Sequence, residues 1–283
     1  MKKNKPFVSI IVPVHNGIEF TKRMIKSLKN IFYHNYKIII VDDGSTDKTY
    51  EKVKDYNKDI IIIKGNGNLF WSGGVNKGIK HALNKLNTDY ILLLNNDNLV
   101  EKNFLNELVK TAQKNEADVV SSKVFYENKK GMFYGGGIIT WSGLLKLIRD
   151  KRFKKTTPVQ WFTGMGVLIK KDLFEEVGFF DEKEFPQYYG DSDFALKVYK
   201  NGYKILYEPE SIIYNDKRQS FDSHKKNIKL LLKNLTEFKS PHNFKIVKKF
   251  YKKHMPIWKL PVIIFHKYFK YFASFFISKI RRK

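Results

Sequence analysis

The sequence predicts an α/β fold in which helices flank a mostly parallel sheet, followed by a basic helical C-terminal extension. Short β-branched apolar runs alternate with stretches in which apolar residues recur every three or four positions. These runs are continuously apolar, which indicates strands buried on both faces, as in parallel sheets. Polar residues follow three of the runs directly, so the same alternation also predicts a ligand-binding edge.

Four apolar runs in the first hundred residues predict the strands of this sheet: FVSIIVPV (7–14), KIIIVDD (37–43), DIIIIK (59–64) and YILLL (90–94). Helical spacing of apolar residues predicts helices over 19–30, 75–87 and 101–115. A further helix is expected after the second strand, with Ser45 or Thr46 as its N-cap. The segment GNGNLFWSGG (65–74) is rich in glycine and asparagine, and we expect a loop there.

The alternation loosens beyond residue 117. Further strands are predicted at ADVVSSKVF (117–125), GMGVLIK (164–170), YKILYEP (203–209) and SIIYN (211–215), and helices over 171–178 and 191–202. The stretch GMFYGGGIITWSG (131–143) indicates hairpins or a binding loop, because glycine and aromatic residues dominate it.

Composition limits the classes of protein to consider. Of the 283 residues, 42% are hydrophobic and 15% aromatic, which supports a large core and excludes a disordered chain. The absence of cysteine excludes disulfide frameworks, thiolate zinc sites and cysteine nucleophiles. Most of the formal net charge of +25 lies after residue 216, where 19 Lys and Arg accompany two acids. We therefore divide the chain into a body, residues 1–216, and a basic tail, residues 217–283.

Three polar clusters follow predicted strands, at residues 15–17 (His-Asn-Gly), 42–44 (Asp-Asp-Gly) and 95–97 (Asn-Asn-Asp). The carboxyl ends of parallel strands meet at one edge of a sheet, where such folds bind ligands. A carboxylate at this edge can accept hydrogen bonds from a ribose or a base, which suits Asp42 and Asp43. Each cluster is also compatible with a simple turn, since Asp, Asn and Gly are common turn formers.

Five segments in this order resemble the bacterial family 2 glycosyltransferases: VSIIVPVHNG, IIIVDDGSTD, WSGGVNKGI, YILLLNNDNLV and GFFDEKEFPQYYGDSDFALKVYKNGYKILYEPES. The resemblance covers about residues 7–215. Within the family, the sequence is most similar in appearance to rhamnosyltransferases of surface polysaccharide assembly. It implies the GT-A fold, a Rossmann-like sheet with flanking helices. It also implies an inverting transferase that moves a sugar from a nucleotide-diphosphate donor to a hydroxyl group.

The resemblance implies a donor nucleotide site built from the ends of the first strands and the glycine-rich segment: Pro13, Val14, His15, Asn16, Asp42, Asp43, Gly73, Gly74, Asn76 and Asn96. Small residues in such a segment let the backbone approach a ligand closely. Lys77 is an alternative phosphate partner, and a flexible connecting loop is an alternative role for the whole segment.

The resemblance places a divalent cation, Mg²⁺ or Mn²⁺, on the donor diphosphate, held by Asp97. A hard cation that keeps much of its hydration suits one carboxylate plus phosphate oxygens. Asn95 stands where relatives often have an acid, and Tyr214-Asn215-Asp216 stands where they often have a His ligand. Asp216 could substitute for that His, or Asp97 and the phosphates could suffice.

Catalysis requires a base that deprotonates the acceptor hydroxyl. The resemblance assigns this role to Asp191, with Gly190 in the place of a common Glu and Asp193 as an acceptor-binding or helix-orienting residue. Both carboxylates are also suited to the N-terminus of a helix by charge alone. Trp161, Thr163, Gly164 and Tyr189 are candidates for the acceptor or sugar pocket, although the aromatic residues could equally be core.

The tail carries an aromatic stripe at helical spacing, formed by Phe265, Tyr268, Phe269, Phe272, Phe275 and Phe276. Basic residues occupy other positions of the same segment, and lysine pairs precede it. This pattern is typical of a helix in an anionic membrane interface, and we predict such attachment through residues 245–283. Packing of the stripe on the body or on another subunit is the alternative.

The charge and hydropathy of the chain are compatible with more than one class of function. The high charge also suits a nucleic-acid-binding or membrane-binding protein without transferase activity, but no nucleic-acid-binding motif supports the former. A processive synthase would need membrane spans, and no stretch reaches the ~20 apolar residues of a span. We expect a cytoplasmic protein, peripheral on the inner face of the membrane, with a lipid-linked or surface-glycan acceptor. A retaining mechanism and an oligomer stay open.

Overall fold

A mixed ten-stranded sheet forms the centre of the computed structural model, which describes residues 5–56, 60–127, 131–149, 153–216 and 227–280. The strands of the described residues, of which all but β8 and β9 belong to this sheet, are β1 Val8–Val14, β2 Tyr36–Asp42, β3 Ile61–Lys64, β4 Tyr90–Leu93, β5 Asn98–Val100, β6 Val119–Tyr126, β7 Met132–Tyr134, β8 Gly137–Ile139, β9 Leu145–Leu147, β10 Thr157–Pro158, β11 Val167–Lys170 and β12 Ile205–Asn215. The helices are α1 Ile18–Lys29, α2 Thr49–Tyr56, α3 Phe70–Lys85, α4 Phe104–Asn115, α5 Leu173–Glu176, α6 Gly190–Lys200, α7 Ile228–Lys233, α8 Phe244–His254 and α9 Leu260–Ile280.

The first half of the sheet is parallel, as the continuous apolar runs predict. Strand β1 lies between β2 and β4 and is parallel to both, and β3 extends the sheet beyond β2. Residues such as Ile10, Ile39 and Leu92 are fully buried in it. The register pairs Val14 with Asp42, so these two strands end level with each other.

The second half of the sheet is mixed. Strand β11 runs antiparallel between β4 and β6, and β12 runs parallel to β6. The two strands predicted over 203–209 and 211–215 form the single strand β12, whose register shifts between Glu208 and Ile212. Strand β5 pairs with the end of β12, which brings Asn98 opposite Asn215.

Helix α3 begins at Phe70, so the prediction of a loop over 65–74 is wrong for its second half. Glycines make this helix possible by allowing close contact with β1. A Cβ atom at Gly78 would overlap Ile11, and one at Gly74 would lie 3.1 Å from Pro13 Cβ. Burial of α3 against the sheet therefore outweighs the weak helix propensity of its glycines.

The cap expected for α2 at Ser45 or Thr46 is instead supplied by Asp47. Its Oδ1 accepts hydrogen bonds from the backbone N–H of Thr49 at 3.1 Å and from the Thr49 hydroxyl at 2.5 Å. Its Oδ2 accepts from the N–H groups of Gly17 and Ile18 at the start of α1, at 2.7 and 3.1 Å. One carboxylate thus orients the beginnings of two helices that follow neighbouring strands.

The glycine- and aromatic-rich stretch 131–143 forms short strands, in agreement with the predicted hairpins. Strand β7 pairs with the end of β6, and β8 pairs antiparallel with β9 in a separate two-stranded sheet. The turn of this hairpin exposes Trp141, which is 87% accessible.

The described part of the tail, residues 227–280, is helical and packs on the body. Helix α8 lies against α6 and is paired with the segment before α6, where Lys253 Nζ contacts Asp181 Oδ2 at 2.8 Å and Lys249 forms an ion pair with Glu184. Phe250 is fully buried and its ring meets that of Phe185 with centroids 5.9 Å apart. Residues 217–226 and 281–283 of the predicted tail lie outside the described residues.

Helix α9 divides the predicted aromatic stripe between two environments. Tyr268 and Phe275 are buried against the rest of the protein, whereas Phe265, Phe269 and Phe276 are exposed. The stripe is therefore not one solvent-facing surface, because α9 carries large apolar residues around most of its circumference. Within the described ranges, no helix has both the length and the hydropathy needed to cross a bilayer.

Candidate active site

Two adjoining cavities open at the carboxyl ends of β1, β2 and β4. The first has a volume of about 300 Å³ and is lined by residues that include Val14, Asp43 and Asp97. The second has a volume of about 210 Å³ and is lined by Asp191 and its neighbours. Trp71, Asn95 and Gln187 line both cavities. Asp43 and Asp97 therefore line one cavity and Asp191 lines its neighbour, although the three are far apart in the sequence. The two cavities together form the candidate cleft.

Asp43 lies in the first cavity, and the backbone of the following segment holds its carboxylate. Oδ1 accepts a hydrogen bond from Gly67 N at 2.8 Å, and Oδ2 accepts from Phe70 N at 2.9 Å. Asp42 does not line the cavity; it is buried, and its Oδ1 accepts from Ser45 N at 2.8 Å. The two neighbouring aspartates thus have different surroundings, one facing the cavity and one facing the turn.

Four more residues of the predicted donor set line the first cavity: Pro13, Val14, His15 and Asn96. His15 Nδ1 lies 2.7 Å from the carbonyl oxygen of Asp43, which links the ends of β1 and β2. Asn16 is not a lining residue. Its side-chain Oδ1 accepts from Thr46 N at 2.8 Å, so it braces the two loops behind the cavity.

Gly73, Gly74 and Asn76 lie in α3 and line neither cavity. Asn76 is buried, and its Nδ2 donates to the carbonyl oxygen of Phe180 at 2.9 Å and to Glu182 Oε2 at 2.7 Å. Its Oδ1 accepts from Phe180 N at 3.1 Å. In this structure the Asn76 amide therefore holds the segment before α6 against α3.

Asp97 lies in the first cavity, in the turn that joins β4 to β5. Burial raises the pKa of its carboxyl to about 6, and the nearby charge of Asp216 adds to the increase, while a hydrogen bond from Asn215 opposes it. A buried carboxylate in a cavity is suited to bind a cation, because the cation would neutralise its charge. Among the described residues, no group of three or more His, Cys, Asp or Glu side chains could hold a metal ion. A cation at Asp97 would therefore need further oxygen ligands from a substrate or water.

Asp216, the alternative metal ligand, lines neither cavity. Its Oδ2 accepts from Arg23 Nη1 at 3.2 Å, and Arg23 also pairs with Glu127. Its backbone N–H donates to the carbonyl oxygen of Asp97 at 3.1 Å. Asp216 thus supports the Asp97 turn through the backbone, while its side chain pairs with an arginine.

Asp191 lies in the second cavity, in the first turn of α6. Its Oδ2 accepts from Gly164 N at 3.0 Å, and its Oδ1 accepts from Ser192 N at 2.7 Å. Burial raises the pKa of Asp191 above its usual range, although these hydrogen bonds oppose the increase. The result is a fixed carboxylate with an increased proton affinity beside a cavity, which suits a general base.

Asp193 is fully buried and lies outside both cavities. Its Oδ1 lies 2.7 Å from His254 Nε2 and 2.8 Å from Lys253 Nζ, and its Oδ2 lies 3.2 Å from Lys197 Nζ. Burial alone would raise the pKa of Asp193, but the hydrogen bonds from His254 and Lys253 hold it below its usual range. The side chain therefore joins α6 to α8.

Of the four candidates for a sugar pocket, Thr163, Gly164 and Tyr189 line the second cavity and Trp161 does not. Trp161 is 6% accessible, and its Nε1 donates to the carbonyl oxygen of Ile138 at 3.2 Å. It packs against Gly137, where a side chain would overlap the indole ring. Trp161 is thus a core residue beneath the β8–β9 hairpin.

A sequence profile described as "Glycosyl transferase family 2" matches residues 9–178. The chain belongs to glycosyl transferase family 2. It is 25% identical over 289 residues to a probable glycosyltransferase, YdaM, of Bacillus subtilis, a match that covers 97% of this chain and 64% of the relative. It is also 25% identical over 204 residues to the low-salt glycan biosynthesis hexosyltransferase Agl10 of Haloferax volcanii, covering 70% and 63%.

Solved structures of similar fold include GalNAc-T7 with UDP, GalNAc and Mn²⁺, with a TM-score of 0.62 and 17% identity over 89% of this chain and 55% of that one. A structure of Staphylococcus aureus TarS, residues 1–349, has a TM-score of 0.58 and 18% identity over 88% and 71%. These likenesses and the mostly parallel sheet with flanking helices confirm the GT-A fold. The chain spans between about a quarter and two thirds of the length of the first curated relatives that it matches.

The structure leaves no room for a side chain at Gly190 of this family 2 chain. A Cβ atom at this position would overlap the Ser72 hydroxyl and lie 3.0 Å from the carbonyl oxygen of Phe185. The preceding Tyr189 has a φ of 71°, which completes a tight turn into α6. Helices α3 and α6 therefore meet so closely at this point that only glycine fits.

The cleft residues of this family 2 chain that were missed as individual candidates include Trp71, Gln187 and Lys239. Trp71 Nε1 donates to Asn95 Oδ1 at 3.0 Å, and a Cβ atom at Gly164 would overlap the indole ring, so Trp71 separates Asp97 from Asp191. Its position in the WSGG motif is the only sequence signal for it. Gln187 likewise lies in the last of the five resembling segments, whereas Lys239 lies outside all of them and reaches the cleft only through the path of the chain.

Proposed function

We propose that the protein is a glycosyltransferase that moves a sugar from a nucleotide-diphosphate donor to a hydroxyl group of a glycan acceptor. The observation that carries the proposal is the pair of adjoining cavities, of which one is lined by Asp43 and Asp97 and the other by Asp191. A donor has a nucleoside at one end and a sugar at the other, so it needs two such compartments. Membership of glycosyl transferase family 2 supports the same reaction class.

The first cavity would bind the nucleoside diphosphate. Each Asp43 oxygen accepts one backbone hydrogen bond and keeps capacity for a second, from a ribose hydroxyl or a base N–H. Val14 and Pro13 offer apolar surface to the base. Asp97, with Asn95 and Asn96 beside it, would hold Mg²⁺ or Mn²⁺ at the diphosphate. When bound, such a cation supplies positive charge that stabilises the leaving diphosphate.

The second cavity would hold the transferred sugar and the acceptor hydroxyl, with Asp191 as the general base. Asp191 takes the hydroxyl proton while the acceptor oxygen forms a bond to the anomeric carbon. The bond from that carbon to the diphosphate oxygen breaks, and its electron pair leaves with the nucleoside diphosphate. Attack from the face opposite the diphosphate inverts the anomeric configuration. The raised pKa of Asp191 strengthens it as a base.

The acceptor in this proposal is a lipid-linked or surface polysaccharide, including glycans of the lipopolysaccharide type. The names of curated relatives support a glycan acceptor: one is a low-salt glycan biosynthesis hexosyltransferase and another, from Staphylococcus aureus, is a poly-beta-1,6-N-acetyl-D-glucosamine synthase. The latter is 24% identical over 206 residues, which are 71% of this chain and 48% of that relative. Rhamnose is the donor sugar that the sequence resemblance favours.

The proposal also places the protein on the cytoplasmic, inner face of the membrane, bound through the outer aromatic face of the tail. We define this face as the exposed side chains of Trp258, Phe265, Phe269 and Phe276, together with Trp141 from the β8–β9 turn. Lys259 joins its two parts: Nζ donates to the Trp141 carbonyl oxygen at 2.7 Å and lies 5.6 and 5.1 Å from the Trp141 and Trp258 rings. Exposed aromatic residues beside lysines are typical of membrane interfaces.

A panel of donors tests the proposed activity. Purified protein is mixed with uridine, thymidine and guanosine diphosphate sugars, including thymidine-diphosphate-linked rhamnose, with and without Mg²⁺ or Mn²⁺, and its melting temperature is measured. Binding of a donor to the folded state should raise the melting temperature, and a divalent cation should increase the shift. Absence of any shift with every donor, at concentrations up to several millimolar, would contradict the proposal.

A further inference from the structure

The first cavity would bring the negative charge of a diphosphate close to two carboxylates, which one divalent cation at Asp97 would only partly neutralise. A nucleotide diphosphate brings two or more negative charges beside the carboxylates of Asp43 and Asp97. A cationic side chain at the cavity would offset this repulsion, because charge-assisted hydrogen bonds to phosphate are among the strongest that proteins make. The inference below rests on the proposed function, because it assigns one residue of that site.

Two basic residues near the cleft are already occupied elsewhere. Arg23 pairs with Asp216 and Glu127 behind the Asp97 turn. Lys77, considered from the sequence as a phosphate partner, donates from Nζ to the carbonyl oxygen of Lys64 at 2.7 Å and lines neither cavity. Neither side chain is placed to meet a diphosphate in the first cavity.

Of the lysines that the structure describes, Lys239 lines the first cavity, and it comes from the tail. Its Nζ lies 5.6 Å from the centre of the Phe70 ring. The neighbouring Phe238 packs edge-on against the same ring, with centroids 5.0 Å apart. Phe70 is also the residue whose N–H donates to Asp43 Oδ2. Lys239 therefore lies beside the residue that holds Asp43, the predicted partner of the nucleoside.

The segment that follows Lys239 is fixed by contacts from two directions. Tyr189, beside Asp191, donates its hydroxyl to the carbonyl oxygen of Pro241 at 3.1 Å. Tyr268 of α9 donates its hydroxyl to the carbonyl oxygen of His242 at 2.9 Å. Ser240, which joins Lys239 to Pro241, is fully buried. The backbone at Lys239 is therefore held by the body and by α9, while the Lys239 side chain remains exposed at the cavity.

We propose that Lys239 binds the diphosphate of the donor, so that the C-terminal region completes a site whose other residues come from the body. In this arrangement α9 and Tyr189 are positioning elements for the Lys239 segment. The basic tail thus contributes to donor binding directly as well as through any contact with a membrane. Lys239 adds affinity for the phosphate groups and none for the nucleoside alone.

Isothermal titration calorimetry of the full chain tests this assignment. The probes are uridine, thymidine and guanosine diphosphate, each paired with its nucleoside, in the presence of Mg²⁺. The Lys239→Gln variant should bind the diphosphate roughly ten-fold or more weakly than wild type, from loss of a charge-assisted hydrogen bond, while its affinity for the nucleoside stays unchanged. Lys239→Arg should restore much of the loss. The control is Lys229→Gln, which removes an exposed lysine of α7 that lines neither cavity.

The outcomes separate the two proposals. If wild type binds no nucleotide, the proposed function and this inference fail together. If wild type binds a diphosphate and Lys239→Gln binds it equally well, the assignment of Lys239 alone is wrong. Equal weakening of diphosphate and nucleoside would show that the lysine only supports the cavity wall, which also overturns the assignment. Melting temperatures of all variants show whether each one is folded.

Discussion

Asp191 combines features that the base of a sugar transfer needs. Backbone N–H groups of Gly164 and Ser192 fix its two oxygens. The side chain lines the second cavity, which shares Trp71 with the first cavity. We expect Asp191→Asn to lower kcat by about 10²–10⁴-fold while the thermal shift by donor persists, since the amide keeps the shape but cannot accept the proton. Normal turnover of this variant, measured by release of nucleoside diphosphate, would contradict the assignment.

The raised pKa of Asp191 predicts a pH dependence. A base works in its deprotonated form, so activity should fall as the pH is lowered through the pKa of the free enzyme. Because burial raises this pKa, the acid limb of kcat/KM should lie above about pH 4, the usual range of an aspartate. A profile measured with saturating divalent cation tests this. An acid limb at or below the ordinary value would show that another group limits the rate.

Single residues also show how far the site can be predicted from sequence. Asp43, Asp97 and Asp191 were named from motifs, and all three border the cleft. Asn76 and Asp193 belong to the same motifs, but their polar atoms are used to join elements of the fold. A motif records that a polar residue is needed at a position; only the surrounding contacts decide whether it meets a ligand or another part of the chain.

At the scale of elements, the junction of α6 and α8 connects the candidate base to the tail. Asp193 lies two residues after Asp191 on α6. It forms ion pairs with Lys253 of α8 and with Lys197 of its own helix, and its Oδ1 contacts His254 of α8. Phe250 of α8 packs at 4.7 Å against the ring of Tyr189, which lines the second cavity. Helix α8 is therefore part of the support of the cleft.

We expect Asp193→Asn to destabilise the protein strongly. Removing one partner from a buried ion pair leaves uncompensated charge and typically costs about 3–5 kcal/mol. Denaturant unfolding measures this, with Glu237→Gln as control, because its pair with Lys233 is largely exposed and should contribute about 0–1 kcal/mol. The folded pKa of Asp193 is lowered, so its stabilisation is present above about pH 4 and is lost as the pH falls through the folded pKa. Equal stability of the two variants would contradict this account.

At the scale of the whole molecule, the tail has two faces with different surroundings. The inner side of α9, with Tyr268, Tyr271 and Phe275, packs on the protein. The outer aromatic face exposes Phe265 and Phe269, which are 71% and 62% accessible, and it includes the exposed Trp258 and Trp141. Large exposed apolar patches of this kind mark interaction surfaces. The formal net charge of +25 favours an anionic bilayer as the partner.

We expect the double variant Phe265→Ser/Phe269→Ser to bind anionic vesicles at least roughly 100-fold more weakly, because burying each phenylalanine contributes about 1.5–3 kcal/mol. Cosedimentation with phosphatidylserine vesicles measures this across a salt series. Phe32→Ser is the matched control, since Phe32 is 55% accessible but lies after α1. Unchanged vesicle binding, together with a change in oligomeric state by light scattering, would show that the face contacts a second copy instead.

The sequence by itself determined the class of fold and the positions of the first four strands along the chain. Those features depend on local patterns: β-branched runs, their length and the polar residues that end them. The motifs of the family resemblance added Asp43, Asp97 and Asp191, which line the cleft. Only the tertiary structure decided that α3 begins at Phe70, that Asp193 faces α8 and that Lys239 reaches the cleft. These outcomes depend on contacts between residues distant in sequence, whose packing free energy exceeds the local preferences that a single sequence reveals.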